Sequence, residues 1–207
     1  MTTQVGTDGE HRRNSHELWE RMATSWQRHR ELGWRSTRDV IEWLVERVDP
    51  TAGETLLELG AGTGARRVLR PGGRLAFSTW GKAARNPWMT FSAQVMIEHG
   101  LLASFSSEGP GVFAMPDAEA ILPLLAEAGF GEVEVEEMAL SWRLEDADEL
   151  WIFVSELQGP VAVAIGKLED EKRRALQAVI EERASAFAAG DGYELPGLSI
   201  NVAAAAG

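Results

Sequence analysis

"ELGAGTGARRVLRPGG", residues 58–73, decides how this chain of 207 residues is read. Its first part closes "ETLLELG" (54–60), a short and nearly continuous apolar run of the kind found in strands buried on both faces. Gly60, Gly62 and Gly64 then let the backbone turn sharply and come against a ligand that a Cβ would hold away. An apolar strand entering a glycine loop that opens a helix gives a G-x-G spacing its meaning as a nucleoside-cofactor cradle. Without that context the same glycines make an ordinary strand-to-helix turn. The second part, "RVLRPGG" (67–73), reads as the end of a helix and the turn after it, leading into a second buried strand, "GRLAFSTW" (73–80).

Upstream, residues 1–14 are polar and aperiodic and read as a flexible terminus. A helix is expected from His16, with Trp19, Met22 and Trp26 on one face. A second helix has Ser36 and Thr37 as caps, Val40, Ile41, Leu44, Val45 and Val48 as its apolar stripe, and Pro50 as its stop. Downstream, the middle of an irregular stretch, 88–102, reads as helical. Asp117 caps a segment closed by Gly129, in which Pro123 predicts a kink or a late start. "EVEVEEMALSW" (132–142) alternates as a half-buried strand does. Two helices follow, one capped by Asp146 and burying Leu150, Trp151, Phe153, Val154 and Leu157, the other over about 169–188 with Leu176, Val179, Ile180 and Phe187 inward and Gly190 as its stop. "LPGLSINVAAAA" (195–206) is a last strand.

The composition, 44% hydrophobic and 25% charged, suits a single globular domain with a sizeable core. No apolar run is long enough to span a bilayer, and the start lacks an apolar signal region, so a cytoplasmic protein without membrane partners is expected. The absence of cysteine excludes disulfides, thiolate metal sites and cysteine nucleophiles. A net charge of −12 argues against nucleic acid as a partner. The charge is uneven: residues 59–97 carry six basic residues and no acidic one. His11, His16, His29 and His99 show no metal-ligand spacing, so no metal is expected. Trp19, Trp26, Trp43 and Trp151 fall on helical stripes as core residues. Trp80 and Trp88 follow a strand's carboxyl end, where open α/β sheets hold their ligands, and are candidates for lining an acceptor pocket. Glu136 and Glu137 alternate faces on a strand and do not form a shared acid/base pair.

"LLELGAGTG" (56–64), "RRVLRPGGRLAFSTWG" (66–81), "LLAEAGF" (124–130) with "EVEVEEM", and "YELPGLSINVAAA" (193–205) together resemble the class I S-adenosylmethionine-dependent methyltransferases, in particular those with a ubiquinone/menaquinone-biosynthesis-type domain. The likeness runs from about residue 15 to the end. It implies an α/β, Rossmann-like sheet with N-terminal helices over 15–50. The first strand and glycine loop would occupy 54–65, the second half of the sheet 66–142, a helical insert or lid 143–190 and the last strand 195–207. By the same resemblance Gly60, Ala61, Gly62, Thr63 and Gly64 surround the methionine portion of S-adenosyl-L-methionine, and Glu58 orients the loop and the methionine amine. The reaction implied is methyl transfer to a small-molecule acceptor. No catalytic base is identified by the resemblance.

The family places a helix and three further strand–helix units between the glycine loop and the "RVLRPGG" turn. Here Arg66 follows Ala65 directly. Units of ordinary length would need roughly 60–80 residues, so strands 2–4 are absent and the sheet is truncated to the order 1, 5, 7, 6 in the family's numbering. The acid that holds a cofactor ribose, normally about 20 residues past the glycine loop, falls inside the carboxylate-free stretch. The segment that grips adenine is missing with it, and weakened cofactor binding is expected. The exposed sheet edge left by the cut favours a homo-oligomer. Two other readings stay open at this point: a nicotinamide-dependent oxidoreductase, since "GAGTGA" (60–65) also satisfies G-x-G-x-x-A, and a non-catalytic interaction module.

Overall fold

The computed structural model describes residues 4–52, 69–103 and 111–207. The strand and loop expected over 54–65, and the join at Ala65–Arg66, lie outside them. The described residues are mixed α/β, with seven α-helices and a four-stranded sheet. None of these helices is long and apolar enough to cross a membrane.

Helices α1 (Gln4–Arg28) and α2 (Arg30–Val48) follow each other with a single residue between them. Backbone bonds run through the junction, from His29 N–H to the Ser25 carbonyl and from Leu32 N–H to that of His29, at 3.0 and 3.1 Å. Two expectations are corrected by this. Helix starts at Gln4 rather than near His16, and Ser36 and Thr37 are interior residues of α2 rather than caps. A serine or threonine caps only where the N–H groups two or three residues after it lack helical partners, and here the ladder is already running when it reaches Ser36. At the other end Asp49 adopts φ 46°, its N–H bonded to the Val45 carbonyl, and Pro50 stops the helix as expected. Trp19 and Val45, read as inward, are more than half exposed. Among the described side chains of α1 and α2, Met22, Leu32, Ser36, Val40 and Trp43 are buried.

Beyond the "RPGG" turn, closed by Gly73 N–H on the Arg70 carbonyl at 2.9 Å, come β1 (Arg74–Trp80) and α3 (Pro87–Glu98). Then follow α4 (Ala118–Glu127) and β2 (Phe130–Leu144). Asp117 caps α4, accepting from Ala120 N–H at 3.1 Å. The helix runs through Pro123 without the expected late start. Proline forfeits the bond to the carbonyl four residues back, which belongs to Glu119. Both residues are exposed, so the missing bond falls on the solvent side of the helix.

The helical stretch after β2 is richer than two helices. Asp146 caps α5 (Ala147–Ile152) by accepting from Glu149 N–H at 2.8 Å. A π-helical turn over Phe153–Leu157 buries Phe153, Val154 and Leu157. An additional helix, α6 (Gly159–Ile165), precedes α7 (Asp170–Ala184). A two-residue strand, β3 (Ala188–Ala189), hairpins into β4 (Gly192–Ala206).

The sheet order is β1-β4-β2, with β3 on β4. β4 is antiparallel to β1 in a register that sets Trp80 opposite Ser199 and Arg74 opposite Ala205. The strands expected as fifth, last and sixth are therefore neighbours in that order. The residues divide into two compact units. In the unit made of 36–90, 106–142 and 195–207, α4 lays Ile121 and Leu125 on Leu198, Ile200, Val202 and Ala204 of β4. In the unit made of 1–35, 91–105 and 143–194, α1 packs on the π turn and α6, and Leu150, Phe153, Ile165 and Ile180 are buried.

Candidate functional site

The sequence-predicted cofactor residues Glu58, Gly60, Ala61, Gly62, Thr63 and Gly64 lie outside the described residues. Trp80 and Trp88 are described and are brought together. Trp80 ends β1, and Trp88 stands in the first turn of α3. Their ring centroids are 4.7 Å apart with planes tilted by 60°. Trp142, near the end of β2, stacks on Trp88 at 4.7 Å and 24°. Trp88 is only 5% exposed and is enclosed by its neighbours.

Asn86 holds this cluster. It is fully buried, and every hydrogen-bonding position of its amide is used. Its Nδ2 donates to the carbonyls of Gly81 and Lys82 at 3.0 and 3.2 Å. Its Oδ1 accepts from Trp88 Nε1 and from Leu198 N–H, each at 3.0 Å. One side chain thus ties the end of β1, the start of α3 and the middle strand β4. Two glycines make room for it by close approach. A Cβ on Gly81 would lie 2.6 Å from Leu198 Cδ2, and one on Gly197 would lie 2.8 Å from both Trp88 Cδ1 and Leu140 Cδ1.

Sequence reasoning found Trp80 and Trp88 and missed Asn86, Trp142 and both glycines. The available signal was "RNPW" (85–88), an asparagine preceding a proline that opens a helix. The partners of Asn86 lie as far as residue 198, and no local pattern points to them.

The charges around the mouth of the cluster are all engaged. Lys82 Nζ pairs with Asp117 at 3.2 Å, and Arg85 with Glu137 at 3.0 Å. The N–H of Ala120, and then Lys82, hold the Asp117 carboxyl below its usual range. Glu136, separated from Glu137 as expected, accepts from Trp43 Nε1 at 2.7 Å. Asp117, Glu136 and Glu137, the carboxylates beside the cluster, are thus each engaged with a partner of their own. No group of three or more potential metal ligands occurs among the described residues.

Two open grooves lie in the helical unit. One, of about 450 Å³, is lined by Arg35, Arg143, Tyr193 and Glu194. Its cations are committed: Arg35 to Glu145, Glu149 and the Arg143 carbonyl, and Arg143 to Glu194. The other, of about 570 Å³, lies among α1, the chain after α3, and α6.

No protein-family model matches the sequence, and no curated protein matches it. Among solved structures, a candidate methyltransferase from Bacillus halodurans C-125 aligns at 20% identity and a TM-score of 0.31, over 69% of this chain. The chain spans 60% of the length of that protein. A superposition this loose leaves the fold to be argued from strand order and register.

Proposed function

We propose that the chain is built on the sheet of a class I S-adenosylmethionine-dependent methyltransferase acting on a small molecule, and that in this form it holds the methyl donor weakly. The observation that supports the first part is the strand order β1-β4-β2, with the last strand inserted between the one that follows "RPGG" and the one that follows "LLAEAGF". What supports the second is the carboxylate-free stretch 59–97 together with the engagement of Asp117 by Lys82 and of Glu137 by Arg85. Two missing polar contacts, at roughly 1.5–3 kcal/mol each, weaken binding by about two to four orders of magnitude. The exposed sheet edge expected where strands 2–4 are missing suits association with a second copy.

Calorimetry of the full chain tests the reading. S-adenosylmethionine and its demethylated product should bind only at a dissociation constant on the order of a millimolar, well above the micromolar range of an intact site. Micromolar uptake would contradict the weak grip. Stabilisation by a nicotinamide dinucleotide instead would overturn the family. Restoring strands 2–4 between Ala65 and Arg66 should recover affinity for the methyl donor.

A further inference from the structure

The larger groove of the helical unit has a floor of aliphatic side chains from three separate segments: Leu18 of α1, Leu101 after α3, and Val163 and Leu168 of α6 and its following turn. All four are half-buried, leaving apolar surface open on one side of a volume of about 570 Å³. That volume is within the roughly 300–1,000 Å³ of small-molecule sites. Gathered apolar surface rimmed by charge marks a binding site more often than scattered exposed aliphatics do.

The rim is cationic in an otherwise acidic chain. Arg21 and Lys167 stand at it against one carboxylate, Glu17, while the whole chain carries −12. Glu17 lies 3.9 Å from Arg21, both side chains being well exposed, so that pair is weak and leaves guanidinium donors unused. Lys167 has no ion-pair partner among the described residues. The other groove, by contrast, spends its cations on its own acids.

We infer that this groove binds a soluble single-chain amphiphile with an acidic head, such as a medium-chain carboxylate. The alkyl chain lies on the aliphatic floor, and the carboxylate meets Lys167 and Arg21 at the rim. Because the groove is open, the head keeps part of its hydration, which limits the desolvation cost of the charge. The inference does not rest on methyl transfer and stands or falls separately from it.

The test is displacement of a fluorescent fatty acid from the full chain by decanoate, with decanol and decyltrimethylammonium as neutral and cationic counterparts. Decanoate should compete with a dissociation constant on the order of 100 µM. Decanol should be about threefold to fivefold weaker and the cation weaker still, in line with a partly hydrated charge contact at the surface. Lys167→Glu, at an exposed position, should reduce decanoate affinity by about tenfold and leave decanol unchanged. Ala164→Trp should block all three ligands, with its folding checked by circular dichroism. Equal binding of decanoate and decanol, or indifference to Lys167→Glu, overturns the inference. So does binding confined to vesicles of anionic phospholipid, which would assign the face to a membrane surface.

Discussion

Asn86 shows how much one amide can organise. Replacing it by alanine strands two buried donors, Trp88 Nε1 and Leu198 N–H. Each costs about 1–3 kcal/mol when left unsatisfied. Asn86→Ala should therefore lower the melting temperature by roughly 5–15 °C, at about 2–4 °C per kcal/mol for a chain of this size. Asn86→Asp should be no milder, since it places a charge at a fully buried position and loses both donors. Gly197→Ala belongs to the same site. Its methyl meets the Leu140 methyl, which can shift, and also the enclosed Trp88 indole, which cannot shift cheaply, so a loss of about 1–3 kcal/mol is expected from overpacking. A melting curve unchanged by both substitutions would show that the cluster contributes little to stability.

Among the elements, the docking of α2 on β2 rests on matched periodicities. Trp43 and Arg47 are four residues apart on one helical face, and Glu134 and Glu136 are two apart on one strand face. Trp43 donates to Glu136, and Arg47 forks onto Glu134 at 2.8 and 2.9 Å while its guanidinium lies 4.8 Å over the Trp43 ring. Trp43→Phe keeps the ring and removes the donor, and should cost about 1 kcal/mol. Arg47→Lys loses fork and stacking together, so the double variant should be less destabilised than the sum of the singles.

The cap of α4 carries a pH dependence of known sign. Ala120 N–H and Lys82 hold the Asp117 carboxyl below its ordinary value in the folded chain. A depressed carboxylate contributes stability above its unfolded pKa and loses it as pH falls through the folded one. Asn at this position still caps but carries no charge. The difference in melting temperature between wild type and Asp117→Asn should be constant near neutrality and shrink below the ordinary carboxylate range. A gap that does not change with pH would remove the charge from the account.

Caps such as Asp117 and Asp146 were legible in the sequence because a cap satisfies N–H groups two or three residues away. The strand expected over 195–206 was legible because burial leaves a nearly continuous apolar run, and the one over 73–80, half-buried in the structure, was marked by the turn before it. The fusion of α1 with α2 was hidden because Gly33, Ser36 and Thr37 carry the local marks of a boundary, which a ladder already in progress overrides. The π turn was hidden because its signal is a contact. Glu156 is brought by it to Arg28 and His29, at 3.0 and 3.1 Å, more than 120 residues away in the chain. Trp19 was misread because a periodicity fixes which residues share a face and not which face turns inward.

At the scale of the whole molecule, the neighbours β1, β4 and β2 stand in the order that motif likeness, rather than composition, led one to expect. The tryptophan cluster has a consequence of a different kind. Indoles whose centres are 4.7 Å apart couple their electronic transitions, and here Trp88 is coupled to Trp80 on one side and Trp142 on the other. The resulting exciton couplet depends on the mutual orientation of the rings and not on helix content. The chain thus carries its own optical gauge, able to record the loosening of β1, α3 and β2 while the amide spectrum still reads as folded.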